Sequence, residues 1–276
     1  MTATVEFTVE SPGGPRTATV TYERRGQGEP LLLLHGIGHH WQAWEPVLSA
    51  LSAERDVIAV DLPGFGASPA LPDGMAYDLG SVVPVLAALC GKLGVDHPHV
   101  AGNSLGGLLA LELGREKLVR SVTALSPAGF WTQAERRYAF GTLRGMRVAA
   151  RAMPLPLIER LSRSEAGRSV LTSTIYAKPG RRTPESVVAE TLALRGATGF
   201  EPTLSAGLTV RFLDDVPDVP VTVAWGTKDR LLLRRQGLRA RDVIPGARLV
   251  RLPGCGHVPM NDDPAAVARV ILDTSR

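Results

Sequence analysis

The sequence predicts an α/β fold: a mostly parallel central sheet flanked by helices, interrupted before its last strands by a helical insertion. Three observations carry this expectation. Short continuous apolar runs, such as residues 31–34 and 57–60, alternate with amphipathic stretches, as buried parallel strands alternate with their crossover helices. A Gly-x-Ser-x-Gly pentapeptide, Gly102-Asn103-Ser104-Leu105-Gly106, joins one such run to an apolar segment of helical spacing. Between Trp131 and Leu213 no buried-strand run occurs, and arginine-rich helical stretches take its place.

The elements follow in order. Residues 5–9 and 17–22 alternate in polarity around Ser11-Pro12-Gly13-Gly14-Pro15, which predicts a hairpin. The strand at 31–34 lies between Pro30 and His35-Gly36. Residues 44–51 read as a helix with Pro46 in its first turn. The strand at 57–60 ends in Asp61-Leu62-Pro63-Gly64-Phe65-Gly66-Ala67-Ser68. Over 81–93, Val82, Val85, Leu86, Leu89 and Leu93 share one helical face. His99-Val100-Ala101 leads into the pentapeptide, and residues 122–125 form the next strand. The insertion holds helices at 157–161 and 184–194. Alternation then resumes with a strand at 221–225, a helix at 231–243 and a strand at 248–252. A final helix runs to Ile271, with Asp262-Asp263-Pro264 as cap and first turn. The domain organisation is thus a core of 1–130 and 214–276 around an insertion of 131–213.

Apolar residues make up 44% of the 276 and charged ones 21%, as in a soluble globular protein. No apolar run is long enough for a membrane span, so stable membrane insertion is not expected. The first residues lack a basic n-region followed by an apolar stretch, which makes a cytoplasmic location the default expectation. Cys90 and Cys255 make neither a disulfide framework nor a metal-ligand spacing. Cys90 reads as a core residue. Cys255, two residues before His257, is either a second nucleophile or, the favoured reading, a small residue filling a turn. The net charge is +4, and between Trp131 and Phe200 twelve Lys and Arg face five Glu and no Asp. No aromatic interleaving or binding motif accompanies that charge, so nucleic acid is not the expected partner. Solvated arginine faces explain it better; steering of anionic substrates is a further reading.

In open α/β sheets, sites form beyond the carboxyl ends of the strands. Four suggestive groups sit at such ends: the His35-Gly36-Ile37-Gly38 loop, Ser104, Asp229 and His257. A serine hydroxyl becomes a useful nucleophile when an imidazole takes its proton. The imidazole needs a buried carboxylate to hold its tautomer and stabilise its charged form. Ser104, His257 and Asp229 can fill those roles, with Asp215 and Asp218 as other candidates for the acid. A developing oxyanion needs backbone N–H donors; Leu105 at the helix start and Ile37 in the glycine-flanked loop are the natural pair. Gly36, Asn103, His39 and Val258 are candidate pocket residues, although His39 and His40 also fit a surface loop. Met146 and Met153 read as cores of the insertion.

These motifs, together with Trp225-Gly226-Thr227-Lys228-Asp229 and Gly254-Cys255-Gly256-His257, resemble those of the α/β-hydrolase superfamily. The resemblance spans almost the whole chain outside 131–213, where that group carries a variable helical cap. It implies an α/β-hydrolase fold and a serine hydrolase of the esterase and lipase-like branch, needing neither cofactor nor metal. A serine at the nucleophile position argues against dehalogenase and epoxide hydrolase chemistry, which uses an aspartate there. Asn103 gives Gly102-Asn103-Ser104-Leu105-Gly106-Gly107 a likeness to C–C bond hydrolases of meta-cleavage products. Val258-Pro259-Met260 after His257 and the short glycine run in the Gly36 loop depart from that branch. The reading is therefore a carboxylic-ester hydrolase acting on small or medium-chain esters. A C–C hydrolase is the alternative, and a non-catalytic ligand-binding homologue is the rival of another class.

Overall fold

Leucine and β-branched runs with no polar face can be satisfied only in a strand covered on both sides, and five strands here are of that kind. The computed structural model describes residues 2–276. In chain order the strands are β1 (Thr2–Val9), β2 (Arg16–Arg25), β3 (Pro30–Leu34), β4 (Asp56–Val60), β5 (His99–Asn103), β6 (Ser121–Leu125), β7 (Val221–Gly226) and β8 (Arg248–Leu252). The helices are α1 (Glu45–Ser52), α2 (Leu79–Lys92), α3 (Leu105–Arg115), α4 (Gln133–Ala152), α5 (Leu155–Ser162), α6 (Glu165–Thr172), α7 (Pro184–Gly196), α8 (Phe200–Ala206), α9 (Arg235–Val243), α10 (Pro259–Asp262) and α11 (Pro264–Thr274).

All eight strands form one sheet in the order β1-β2-β4-β3-β5-β6-β7-β8. β2 is antiparallel to both β1 and β4, and the remaining neighbours are parallel. The chain reverses its direction of travel across the sheet between β3 and β5, which makes their carboxyl ends a topological switch point. The register Leu34↔Gly102 places the loop after β3 beside Ser104. Leu31 to Leu34 are almost wholly buried. Each such side chain contributes roughly 1.5–3 kcal/mol of transfer free energy.

Most expected elements lie where the patterning put them, and the differences have local causes. β1 and β2 extend the hairpin at both outer ends, to Thr2 and Arg25. A short 3-10 turn, Trp41–Trp44, precedes α1. α2 begins two residues early because the Asp78 carboxylate accepts the Ser81 N–H at 2.9 Å. The helix expected over 231–243 is shortened to α9, and the N–H groups of Leu231 and Leu232 before it are held by Asp229. The last helix is two, and only Asp263 caps α11, accepting from Ala266 N at 3.1 Å. Asp262 is instead fully buried.

Helices α4 to α8 all fall between β6 and β7. α4 opens with a capping box of Thr132 and Glu135, and the Glu135 carboxylate also holds Arg235 and Arg239 at α9. The arginines of this segment are only partly the solvated faces expected. Arg144, Arg151, Arg160 and Arg163 are exposed. Arg147 is buried and donates to the Ala197 carbonyl at 2.6 Å, and Arg195 donates to the carbonyls of Ala150 and Met153 at the end of α4. There a cation also complements the helix dipole. No helix among the described residues is long and apolar enough to cross a membrane.

Candidate active site

Ser104 stands on a turn that only glycine neighbours permit. A Cβ on Gly102 would lie 2.0 Å from the Gly106 carbonyl oxygen, and one on Gly106 would lie 2.1 Å from that of Leu34. The turn puts Ser104 at φ +57° and ψ −113°, a conformation costing about 1–3 kcal/mol for a residue with a side chain. Backbone bonds over-determine it. Ser104 N–H donates to Leu125 at 3.0 Å, and its carbonyl accepts from both Leu108 and Ala128 at 3.0 Å. Ser104 is only 7% accessible, because Leu143, Met146 and Leu194 of the α4–α8 segment wall the cavity above it.

His257 and Asp229 meet across two strand ends. His257 Nδ1 lies 2.9 Å from Asp229 Oδ2, and both side chains are buried. Asp229 Oδ1 is occupied by the N–H groups of Leu231 and Leu232 at 2.9 and 2.8 Å. The second oxygen is therefore left to hold the imidazole, with the proton on Nδ1 and Nε2 turned to the cavity. The two loops touch backbone to backbone: a Cβ on Gly226 would sit 2.1 Å from the Gly256 carbonyl oxygen, and Lys228 N–H donates to Cys255 at 2.8 Å. Ser104 and His257 wall the same cavity without a direct hydrogen bond, a contact of the kind that tightens when substrate binds. Asp215 and Asp218 are exposed, and Asp218 pairs with Lys117 at 2.8 Å. Cys255 is buried, and burial pushes its thiol up to about 11, as suits a turn-filling residue.

The cavity has two lobes that share Ser104, Ile37, Leu143 and Leu231. The larger, about 630 Å³, is apolar and lined among others by Leu105, Leu108, Trp131, Phe140 and Val210. The smaller, about 460 Å³, holds Gly36, His39, Asn103, Glu190, His257 and Val258. Ser104, His257, Ile37, Leu105, Gly36, Asn103, His39 and Val258 thus line this cavity, and Asp229 reaches it only through His257. Gly36 packs against Ser104, a Cβ there falling 3.2 Å from the serine Cβ. His39 and His40 are both buried, their rings stacked at 5.3 Å, so neither is a surface residue. His35 serves the loop instead: its Nε2 accepts Leu62 N–H at 2.9 Å, and burial lowers the ring to about 3, keeping it neutral.

Three features were not legible from the sequence. Asn103 spends its amide on the backbone, donating to the carbonyls of Leu125 at 3.0 Å and His257 at 2.9 Å. The Asp262 carboxylate accepts from Gly256, Ala177 and Lys178 N–H at 2.7, 2.9 and 2.7 Å, which ties the His257 loop to the turn after α6. Glu190 of α7 is buried against the cavity with Tyr176, Arg182 and His39. Among the described residues no three His, Cys, Asp or Glu side chains are grouped so as to hold a metal ion.

Residues 31–270 match the alpha/beta hydrolase family. An uncharacterised protein of Mycobacterium tuberculosis is 27% identical over 261 residues, covering 89% of this chain and 75% of its own length. Among solved structures, a thermophilic esterase from Thermogutta terrifontis aligns with a TM-score of 0.72 at 22% identity, covering 98% of this chain and 97% of that one. A meta-cleavage product hydrolase from Pseudomonas fluorescens aligns with a TM-score of 0.72 at 20% identity, covering 97% and 96%. At these identities the two structures speak for the fold alone.

Proposed function

The chain belongs to the alpha/beta hydrolase family, and from that premise we propose that it is a serine hydrolase cleaving small or medium-chain carboxylic esters through an acyl-enzyme. The observation that carries this reading is the strained Ser104 turn opening on a cavity that His257, hydrogen-bonded to Asp229, also lines.

His257 Nε2 takes the Ser104 proton as Oγ attacks the ester carbonyl. The tetrahedral oxyanion is met by the N–H groups of Ile37 and Leu105, each worth roughly 3–4 kcal/mol in mutational tests of such donors. Leu105 opens α3, so the helix dipole adds to its N–H. Collapse of the intermediate breaks the C–O bond, and the imidazolium returns its proton to the leaving alkoxide. Water, deprotonated by His257, then attacks the acyl-enzyme carbonyl, and Ser104 leaves with the proton. Asp229 keeps His257 in the Nδ1–H tautomer throughout. The α4–α8 segment acts as the cap that shapes the pocket and keeps bulk water out.

Two features favour esters over the C–C alternative. Asn103, the residue that suggests the latter, has its amide engaged by backbone carbonyls. No Lys or Arg lines either lobe to receive the carboxylate of a dienoate.

The test is hydrolysis of 4-nitrophenyl butyrate, with covalent labelling by a fluorophosphonate. Labelling at Ser104 and loss of nearly all turnover in Ser104→Ala are expected. Retained turnover in that variant overturns the reading, and absence of both labelling and turnover returns the chain to the ligand-binding class.

A further inference from the structure

The two lobes differ in which machinery faces them. His257 and Val258 line the smaller lobe but not the larger. Since His257 must protonate the leaving alkoxide, the alcohol half of an ester belongs in the smaller lobe, and the acyl chain in the apolar one. This step rests on the esterase reading above.

The smaller lobe carries one group that acyl transfer does not use. Glu190 Oε2 accepts the Tyr176 hydroxyl at 3.0 Å and Arg182 Nη2 at 2.7 Å. Oε1 is approached only by His39 Nε2 at 3.5 Å, beyond a good hydrogen bond. That ring is already committed, with Nδ1 accepting His40 N–H at 3.1 Å and Nε2 lying 3.1 Å from the Tyr176 oxygen. Oε1 therefore has acceptor capacity to spare on the wall that His257 shares. Burial alone would raise the Glu190 carboxyl, but His39, Arg182 and Tyr176 outweigh it and hold the group at about 2, hence ionised. Arg182 stands behind the carboxylate, outside the cavity lining, so the negative end of the pair faces the substrate. The other acidic group on the lining is Asp78, exposed at the rim of the larger lobe, and neither lobe has a Lys or Arg.

We infer that the smaller lobe is a leaving-group subsite in which Glu190 selects alcohols bearing a neutral or cationic hydrogen-bond donor and rejects those bearing a carboxylate. The exposed arginines of the α4–α8 segment thus give the outside of the molecule a sign that its cavity does not share. Steering of anionic esters into the site, one reading of that charge, is not what this lining favours.

Three hexanoate esters of nearly equal size test this: 2-hydroxyethyl, 2-(dimethylamino)ethyl and carboxymethyl. The wild-type protein is expected to show kcat/KM on the first two roughly 10- to 100-fold above the third, the scale on which a buried like-charge contact discriminates. Glu190→Gln should bring the hydroxyethyl-to-carboxymethyl ratio to about one or below, because the charge of Arg182 behind the lobe wall is then uncompensated. Tyr176→Phe disturbs the same cluster but keeps the carboxylate, and should keep the preference. A ratio taken within one protein is insensitive to any loss of folded enzyme. Equal rates on the hydroxyethyl and carboxymethyl esters in the wild type, or an unchanged ratio in Glu190→Gln, overturn the inference and leave the esterase reading standing. No turnover of any of the three, nor of 4-nitrophenyl butyrate, overturns the esterase reading and the inference with it.

Discussion

Asn103 holds the carbonyl of His257 through its side-chain amide at 2.9 Å, so the residue before Ser104 fixes the loop that carries His257. The same nitrogen reaches Leu125 at the end of β6, 3.0 Å away. Three strand ends are thereby braced through one side chain. Asn103→Ala would take the side-chain donor from the buried His257 carbonyl, while Leu125 keeps the Ser104 N–H at 3.0 Å, at about 1–3 kcal/mol for the group left unsatisfied. The melting temperature and kcat should both fall, while KM for a short ester changes little. Asn103→Asp removes both donors and sets a carboxylate against two carbonyl oxygens, so its loss should be the larger. A parental kcat in both variants would show that the brace has no part in placing His257.

Asp229 tests the orientation of the imidazole separately from folding. Asn at this position can keep its carbonyl oxygen on the N–H groups of Leu231 and Leu232, which hold the present side chain at 2.9 and 2.8 Å. Its amide then donates to His257 Nδ1 and moves the ring proton to Nε2, where it cannot receive one from serine. Asp229→Asn should lower kcat by about 10⁴, the size of the same exchange in a serine protease. The melting temperature should stay near the parent's. A loss below tenfold would mean that another carboxylate serves the base.

Stability should fall on mild acidification because of two rings that the mechanism does not protonate. Burial lowers His35 to about 3 and His40 to about 4, against an ordinary value of 6.5. Between 6.5 and those values the unfolded chain binds protons that the folded chain refuses, so stability is complete above pH 6.5 and declines below it. At pH 5 the two rings together cost about 4 kcal/mol, or about 10 °C in melting temperature for a chain of this size. Glu190, lowered to about 2, adds its own loss only below its ordinary 4.5. Calorimetry at pH 7, 6 and 5 should show the decline, and His35→Gln should flatten it by about half. A melting temperature constant over that range would refute the assignment.

How far the fold was legible depended on whether the deciding contact was local. Residues 31–34 can only be a strand covered on both faces, and Gly102 and Gly106 announce a turn whose clearances of 2.0 and 2.1 Å exclude any side chain. Asp229 and His257 were legible because each directly follows a strand signal. Glu190 was not, since on its own helix it is an ordinary polar residue and gains its meaning from Tyr176, Arg182 and His39, brought in from other elements. The helix expected from 231 begins only at Arg235. Local propensity favoured helix there, whereas in the structure the N–H groups of Leu231 and Leu232 turn back to the Asp229 carboxylate. Arg147 and Arg195 looked like solvated charge for want of any sign in the sequence that helix-end carbonyls lay within their reach.

Asp262 and Asp263 stand side by side and should behave in opposite ways. Asp263 caps α11 by accepting one N–H, so Asp263→Ala should cost about 1 kcal/mol and leave kcat unchanged. Asp262 accepts three N–H groups, the buried one of Gly256 and those of Ala177 and Lys178, and its carbonyl also receives Lys178 Nζ at 3.0 Å and Arg181 Nη1 at 2.6 Å. Removing its carboxylate frees both Gly256, next to His257, and the turn that leads from α6 toward α7. Asp262→Ala should therefore destabilise by roughly 1–3 kcal/mol for each buried N–H group left without an acceptor. Two readouts separate this from general weakening. kcat should drop more than KM rises, because the loosened group is His257, the base of the proposed mechanism, and not the pocket. Trypsin should cut the folded variant faster than the parent at Arg181 or Arg182, mapped by mass spectrometry under native conditions. If Asp262→Ala resisted trypsin as the parent does and kept its kcat, the tie between the His257 loop and the cap would carry no functional weight.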